Sequence, residues 1–227
     1  MVDTLTGDEF GTVNMDFGQH VVIQTGGLDW KASPMQGVLR KPLAREDAER
    51  GHATSIVRYE PHSSFSEHGH PLGEEIFVLE GTFSDATGDY HAGTYFRNPE
   101  GFRHAPFSKE GTVILVKLHQ FQSGDDSHVV IDTKTTEWAP GARGVEAMPL
   151  HDFRGERVAL ERWSAGAKLD RHVHEGGEEV YVIEGELIDE QGRYPSGTWI
   201  RSPHSSSHEP RVEQDTLIWI KSGHLPG

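Results

Sequence analysis

Apolar positions along this chain come in short runs with a period of two, not in the three- and four-residue stripes that mark an amphipathic helix. Alternating or β-branched runs occupy residues 55–59, 75–79, 95–97 and 113–118, and again 158–163, 179–183, 199–201 and 217–221. Gly, Pro and Asp punctuate them every eight to twelve or so residues. Many short strands with that punctuation predict an all-β sandwich or barrel. Only residues 43–50 read as a short helix.

The pattern is written twice. VVIQT at 21–25 returns as VVIDT at 129–133, and Trp30 as Trp138, at an offset of 108. Gly37, Val38, Pro42 and Leu43 return as Gly144, Val145, Pro149 and Leu150 at 107, and from Arg50/Arg154 through Lys117/Lys221 the offset is 104. Between residues 68–104 and 172–208, 16 of 37 positions are identical without a gap, which chance composition does not produce. The offset changes fall between the matched segments, where loop insertions cost little. The chain is therefore a tandem duplication, with domains expected at 1–125 and 126–227. Antiparallel barrels gain by covering their edges, so the two copies are expected to pack as an intramolecular pseudo-dimer, with residues 21–23 and 129–131 crossing between them.

Composition narrows the chemistry. With 21 Lys+Arg against 36 Asp+Glu the formal charge is −15, a sign that repels phosphate backbones, so nucleic acid is not an expected partner. No run of about 18 apolar residues occurs and the start, MVDTLTGDEF, lacks an apolar centre, so a soluble, cytoplasmic protein without a membrane partner is expected. The absence of cysteine removes disulfides, thiol nucleophiles and Cys-based zinc modules. What stands out is histidine: 15 of them.

In the string HGHPLGEEIFVLEG, His68 and His70 lie two apart, so on an extended strand both rings share a face. Glu74 follows across a turn containing Pro71 and Gly73, and His104 arrives thirty residues later on another element. His172, His174, Glu178 and His208 repeat the set. A lone His-x-His pair is more often a solvent-facing strand, but eight ligand-type residues recurring in register while their neighbours diverge point to a retained site. Three imidazoles and a carboxylate suit a divalent transition metal with one or two coordination positions open, up to two per chain: Fe(II) or Zn(II) first, then Mn, Ni or Cu.

These residues resemble the cupin family. Its first motif (Gly, five residues, His-x-His, three or four residues, Glu, six residues, Gly) is met by His68, His70, Glu74 and Gly81, and by Gly166, His172, His174, Glu178 and Gly185. Its second (Gly, five residues, Pro-x-Gly, two residues, His) is met by Gly93, Pro99, Gly101 and His104, and by Gly197, Pro203 and His208. The resemblance implies a bicupin of two jelly-roll barrels. His62 stands where the first motif begins with Gly, Ser205 stands at the second-motif Gly, and Ser108 and Val212 stand where Asn often closes that motif. A Cβ at Ser205 is expected to shape the turn before His208 differently, which favours the first copy as the catalytic one.

Within cupins, GEEIFVLEGTFSDATGDYHAGTYFRNPEGFRH is most similar to the cupin domain of ChrR-type anti-sigma factors, a group implicated in responses to reactive oxygen. Sigma binding in that group resides in a separate Cys-containing zinc domain, so it is not carried over to this chain. The resemblance leaves two functional expectations: a non-haem metal-dependent dioxygenase acting on a small molecule, or a metal-dependent sensor without turnover. A homo-oligomer is compatible with either. A third role for the metals, as structural staples, is weaker, since 227 residues in two barrels should not need them.

Other recurring residues have plainer readings. Two readings stand for Tyr90/Tyr194 and Arg97/Arg201: hydrogen bonds that support the ligands or substrate, or, expected first, a Tyr on the barrel wall and an Arg paired with an Asp such as Asp85/Asp189; Glu75/Glu179 are expected on a solvated or salt-bridged outer face. His62, His91 and His204 are expected at the surface. Arg103 opposite Ser207 hints at unlike charge in the two pockets.

Overall fold

The computed structural model describes residues 11–47 and 51–227. Apart from one 3-10 turn at Thr25–Gly27, the regular elements among them are β-strands. Every strand expected from the alternation is present, within Ala53–Tyr59, Glu74–Asp85, Thr94–Asn98 and Thr112–Leu118, and within Glu156–Trp163, Glu178–Glu184, Thr198–Ser202 and Thr216–Ser222. No helix among the described residues is long and apolar enough to cross a membrane.

The short helix expected at 43–50 is not formed where the chain is described: Leu43, Ala44 and Arg45 complete the strand Val38–Arg45, while residues 48–50 lie outside the described residues. The pairing of Val38–Arg45 with Ala53–Tyr59 shifts register between Pro42 and Ala44. That irregularity buries three consecutive residues and erases the alternation that would have marked a strand. Pro42 has no N–H to give the ladder, so a bulge is where it fits. Cross-strand pairing then overrides local helix preference.

The described chain divides into two compact units, one made of Asp29–Asp132 with the segment ending at Met15, the other of Asp16–Leu28 with Thr133–Gly227. In the first, the main sheet runs Val129–Asp132, Thr94–Asn98, Glu74–Asp85, Thr112–Leu118, Ala53–Tyr59, Val38–Arg45, Lys31–Ala32. In the second it runs Val21–Gln24, Thr198–Ser202, Glu178–Glu184, Thr216–Ser222, Glu156–Trp163, Val145–Phe153, Ala139–Pro140. The order is the same strand for strand, so the duplication extends to topology. The edge strands are exchanged: Val21–Gln24, ahead of the first repeat's own strands, pairs with Thr198–Ser202, and Val129–Asp132, at the start of the second repeat, pairs with Thr94–Asn98. Unit limits follow the sheets rather than the repeats.

Each unit has its own apolar core. Val57, Tyr59, Ile76, Phe83, Phe96 and Ile114 form the first, and Trp163, Val180, Val182, Leu187, Ile200 and Ile218 the second. A glycine lets the central strand bend at its far end. Gly81 has φ +69°, and a Cβ there would lie 2.1 Å from the Gly111 carbonyl oxygen, a conformation and approach that only glycine tolerates. Past this point Glu74–Asp85 leaves Thr112–Leu118 and pairs with Gly88–His91. One strand thus carries Glu74 at one end and Asp85 at the other.

Candidate metal centres

A two-stranded ribbon builds each candidate site. His68–Gly69 pairs with Arg103–His104 so that His68 sits opposite His104, and in the second unit His172 sits opposite His208. The intervening turn brings the carboxylate round: Gly73 N–H donates to the His70 carbonyl at 3.1 Å, and Gly177 N–H to the His174 carbonyl at 3.1 Å. The turn uses left-handed backbone at Leu72 and Gly73 in one copy and at Gly176 and Gly177 in the other.

The rings converge. Centroids lie 4.8 Å apart for His68/His70 and 5.0 Å for His68/His104; for His172/His174, His172/His208 and His174/His208 they lie 5.0, 4.9 and 4.7 Å apart. In the second unit His172, His174, Glu178 and His208 each offer a ligand atom within 4.8 Å of the others, and in the first His68, His70 and His104 do so. Glu74 joins the first set through Oε1, 3.3 Å from His70 Nε2, and Oε2, 3.4 Å from His104 Nε2. These groups could hold a metal ion.

The donor chemistry fits a cation. His70 Nε2, His104 Nε2 and both nitrogens of His174 are buried without a hydrogen-bond partner, a costly arrangement unless something accepts their lone pairs. Burial lowers the pKa of His70 to about 3 and of His174 to about 4, so both are neutral ligands near pH 7. Burial also raises Glu74, and pushes Glu178 up to about 7, since neither carboxylate has a full cationic partner.

Backbone and carboxylate groups fix the tautomers. His68 Nδ1–H donates to the Ser66 carbonyl at 2.9 Å and His172 Nδ1–H to the Asp170 carbonyl at 3.0 Å. His104 Nδ1–H donates to Asp85 Oδ2 at 3.4 Å, and His208 Nδ1–H to Asp189 Oδ2 at 3.3 Å. Each arrangement leaves Nε2 for a ligand position. Burial works against ionised Asp189, yet hydrogen bonds from His208, the Gln191 and Gly192 amides and Tyr194 hold its pKa down to about 2. Asn98 Nδ2 donates to Glu74 Oε2 at 3.0 Å.

These contacts correct the expected role of Asp85 and Asp189: they orient the last histidines instead of pairing with Arg97 and Arg201. Arg97 is fully buried, 2.5 Å from Asp125 and 3.4 Å from Glu75. Arg201 donates to the Asp16 carbonyl and lies over the Phe17 ring. Glu75 and Glu179 face no solvent at all: Glu75 accepts from Tyr95, and Glu179 from Trp199 and His224. The Arg–Asp pairing failed, while of the two alternatives for the carboxylates the salt-bridged one holds for Glu75, beside Arg97, and the solvated one does not, because the sheet's outer side is buried by each unit's own segments. His62, His91 and His204 are exposed, as expected.

Ser205 overturns the reason for favouring the first copy. It adopts φ +62° where Gly101 has +88°, and His62 likewise adopts +64° where Gly166 has +85°. The turn is preserved despite the side chain, and His208 reaches its cluster. The unlike charge expected from Arg103 does not arise inside the cavity either: Arg103 is exposed, paired with Glu67, and absent from the lining.

The cavities at the two clusters differ instead through residues that motif reading missed. The first is about 750 Å³ and is lined by Met35, Tyr59, Phe65, His68, Glu74 and His119 among others. The second is about 290 Å³, and Glu161 and Trp163 line it together with His172, Glu178 and His208. At the offset of 104, Glu161 and Trp163 correspond to Val57 and Tyr59, and His119 to Gly223. The signal lay in comparing strand interiors, away from the conspicuous histidine motifs.

Residues 18–122 and 126–226 each match the model of a family described as the ChrR Cupin-like domain. Among solved structures, a "putative dioxygenase" from Nostoc punctiforme is similar with a TM-score of 0.77 at 16% identity, over 92% of this chain and 84% of that one. Protein Ylba from E. coli gives 0.70 at 13% identity, over 93% of each chain. A variant of oxalate decarboxylase from Bacillus subtilis gives 0.61 at 15% identity, over 91% and 78%. At these identities the likeness is one of fold. No curated protein matches the chain.

Proposed function

Since the chain belongs to the ChrR cupin-like domain family through both repeats and has the two-barrel cupin fold, we propose that each unit holds one divalent transition metal, on His68, His70, Glu74 and His104 and on His172, His174, Glu178 and His208. We further propose that the first unit is an oxygenase centre for a small organic molecule. The observation that carries this is the convergence of buried, partnerless imidazole nitrogens beside a carboxylate at the wall of a cavity. When bound, a metal such as Fe(II) supplies Lewis acidity and the electron chemistry that O2 requires. Solved relatives keep other metals in view, since oxalate decarboxylase of Bacillus subtilis has Mn(II) centres.

The chain's own groups do the rest. Asp85 holds the His104 ring in the tautomer that leaves Nε2 free, and Asn98 steadies Glu74. Met35, Tyr59 and Phe65 offer an apolar and aromatic wall that excludes water from a substrate body. With Ser205 no longer a reason to rank the copies, the roomier first cavity carries the preference for the first centre.

The test is an oxygen-consumption screen over small oxygenated and aromatic compounds with metal-loaded protein. His104→Ala should abolish turnover, and His208→Ala should leave a measurable remainder. Loss only from the second variant would reverse the assignment. The family match itself favours a second reading, a sensor in which the metal holds a ligand or responds to reactive oxygen without turnover. That reading prevails if both variants lose metal and neither changes any reaction.

A further inference from the structure

Beside the candidate metal clusters the two copies part at position 119. The backbone is the same in both: the His119 amide donates to the Gly73 carbonyl at 2.9 Å, and the Gly223 amide to the Gly177 carbonyl at 3.0 Å. Both residues are left-handed, His119 at φ +59° and Gly223 at +75°. Glycine adopts that conformation freely, whereas a residue with a Cβ does so at a cost. The second copy closes the adjoining turn with no side chain there, its Gly177–His174 bond being 3.1 Å like Gly73–His70. The first copy therefore keeps an imidazole that the turn does not need.

The ring is held beside the cluster but not in it. Its Nδ1–H donates to the Pro71 carbonyl, and its centroid lies 6.3 Å from that of His70, against 4.8 and 5.7 Å for His68 and His104. The imidazole nitrogens that meet within 4.8 Å come from His68, His70 and His104. An imidazole with its proton on Nδ1 offers Nε2 as an acceptor only, and Nε2 of His119 has no partner among the described residues. His119 lines the cavity of about 750 Å³ together with Met35, Tyr59 and Phe65, and the Phe65 ring packs against His68 at 5.4 Å. A spare acceptor next to the cluster and an apolar wall in the same cavity suit a molecule with an apolar body and a hydroxyl donor.

We propose that His119 is a specificity-determining residue of the first centre: its Nε2 accepts a hydrogen bond from a hydroxyl of the molecule in the first cavity, whose apolar body lies against Met35, Tyr59 and Phe65. The proposal deepens, and rests on, the reading of that cavity as a small-molecule site, but it does not depend on which metal is bound. It also separates the two copies, since Gly223 offers the second unit no acceptor at the same position.

The experiment uses two probes that differ at the donor, para-fluorobenzyl alcohol and its methyl ether, with full-length protein loaded with redox-inert Zn(II) at pH 8. Binding is read from the fluorine NMR signal of each probe. The alcohol should bind about tenfold more tightly than the ether, and it should shift the His119 ring resonances, assigned through His119→Asn. Asparagine accepts left-handed backbone and can still donate to the Pro71 carbonyl, but it is too short to stand in for Nε2. His119→Asn should therefore bring the two probes within about twofold by weakening the alcohol alone. Glutamine is long enough to place an acceptor there, so His119→Gln should keep most of the preference. Failure of both probes to bind the wild type, equal binding of the two, unmoved His119 resonances, or a preference undiminished in His119→Asn, as when the metal itself takes the hydroxyl, would overturn the proposal. So would equal loss of the preference from both variants, the mark of a purely structural ring. Zinc content is measured on the same samples. If the first site takes no zinc, the metal reading fails on its own, and the titration still decides for or against His119.

Discussion

At His208 the two ring nitrogens meet different neighbours, Asp189 on one side and the cluster on the other. Such carboxylate–histidine contacts raise ligand basicity and hold the ring, and their loss typically costs 10–100-fold in metal affinity. Asp189→Asn should therefore weaken the second site's metal affinity by about 10–100-fold without removing the site, measured by competition with a chelating dye. An unchanged affinity would show that the contact is incidental. A second prediction at this scale concerns protons. A cation binds ionised Glu178 and neutral imidazoles, and burial holds Glu178 up at about 7 and His174 down at about 4. As pH falls below about 7, protons compete for Glu178, so affinity should drop toward about tenfold per pH unit. Metal uptake at pH 6 should release close to one proton from this residue. Above pH 8 the slope should flatten, and Glu178→Gln should remove it. Metal titrations in weakly buffered solution measure both quantities.

Among the elements, the bend in each central strand decides whether the ligand end and the tautomer-fixing end reach one site. Gly185 has φ +78°, and a Cβ there would stand 2.4 Å from the Asp215 carbonyl oxygen. Gly166 has φ +85° with nothing within 4 Å of that position. Gly185→Ala should thus destabilise by about 2–4 kcal/mol, from left-handed backbone plus a backbone collision, and Gly166→Ala by only about 1–2 kcal/mol. Thermal unfolding of the two variants under one set of conditions checks the difference, and equal costs would mean that the strand relaxes around the added atom. The same scale explains the helix that did not form at 43–45. Alternation is visible in sequence only while the register is regular, and the shift beside Pro42 breaks it for three residues.

For the whole molecule, the repeated ligand sets predict two equivalents of divalent metal per chain after reconstitution. His70→Ala and His174→Ala should each remove about one, by elemental analysis. A wild-type chain that stays metal-free under saturating Fe(II), Mn(II) and Zn(II) would defeat the assignment. Much of this architecture was legible beforehand: strand periodicity is local, the duplication is a comparison of the chain with itself, and the His-x-His, Glu and distant His spacings survive because their geometry tolerates few alternatives. The exchange of Val21–Gln24 and Val129–Asp132 was expected from the repeated pentapeptide and the gain from covering sheet edges, but the strand each one joins depends on hydrogen-bond partners far away in sequence and came only from the tertiary structure. Asp85 and Asp189 were visible as a conserved offset, but proximity to His104 and His208 is created by a bend at a glycine, and Arg97 seemed an equally good partner until its burial against Asp125 was known. Local order and the identity of the candidate ligands follow from the amino-acid sequence itself, since backbone alternation and donor chemistry reside in single residues and short spacings. The size of each cavity, the residues that line it beyond the motif, and the burial that sets the charge of Glu178 were decided by tertiary structure alone, because volume and desolvation are properties of what surrounds a side chain.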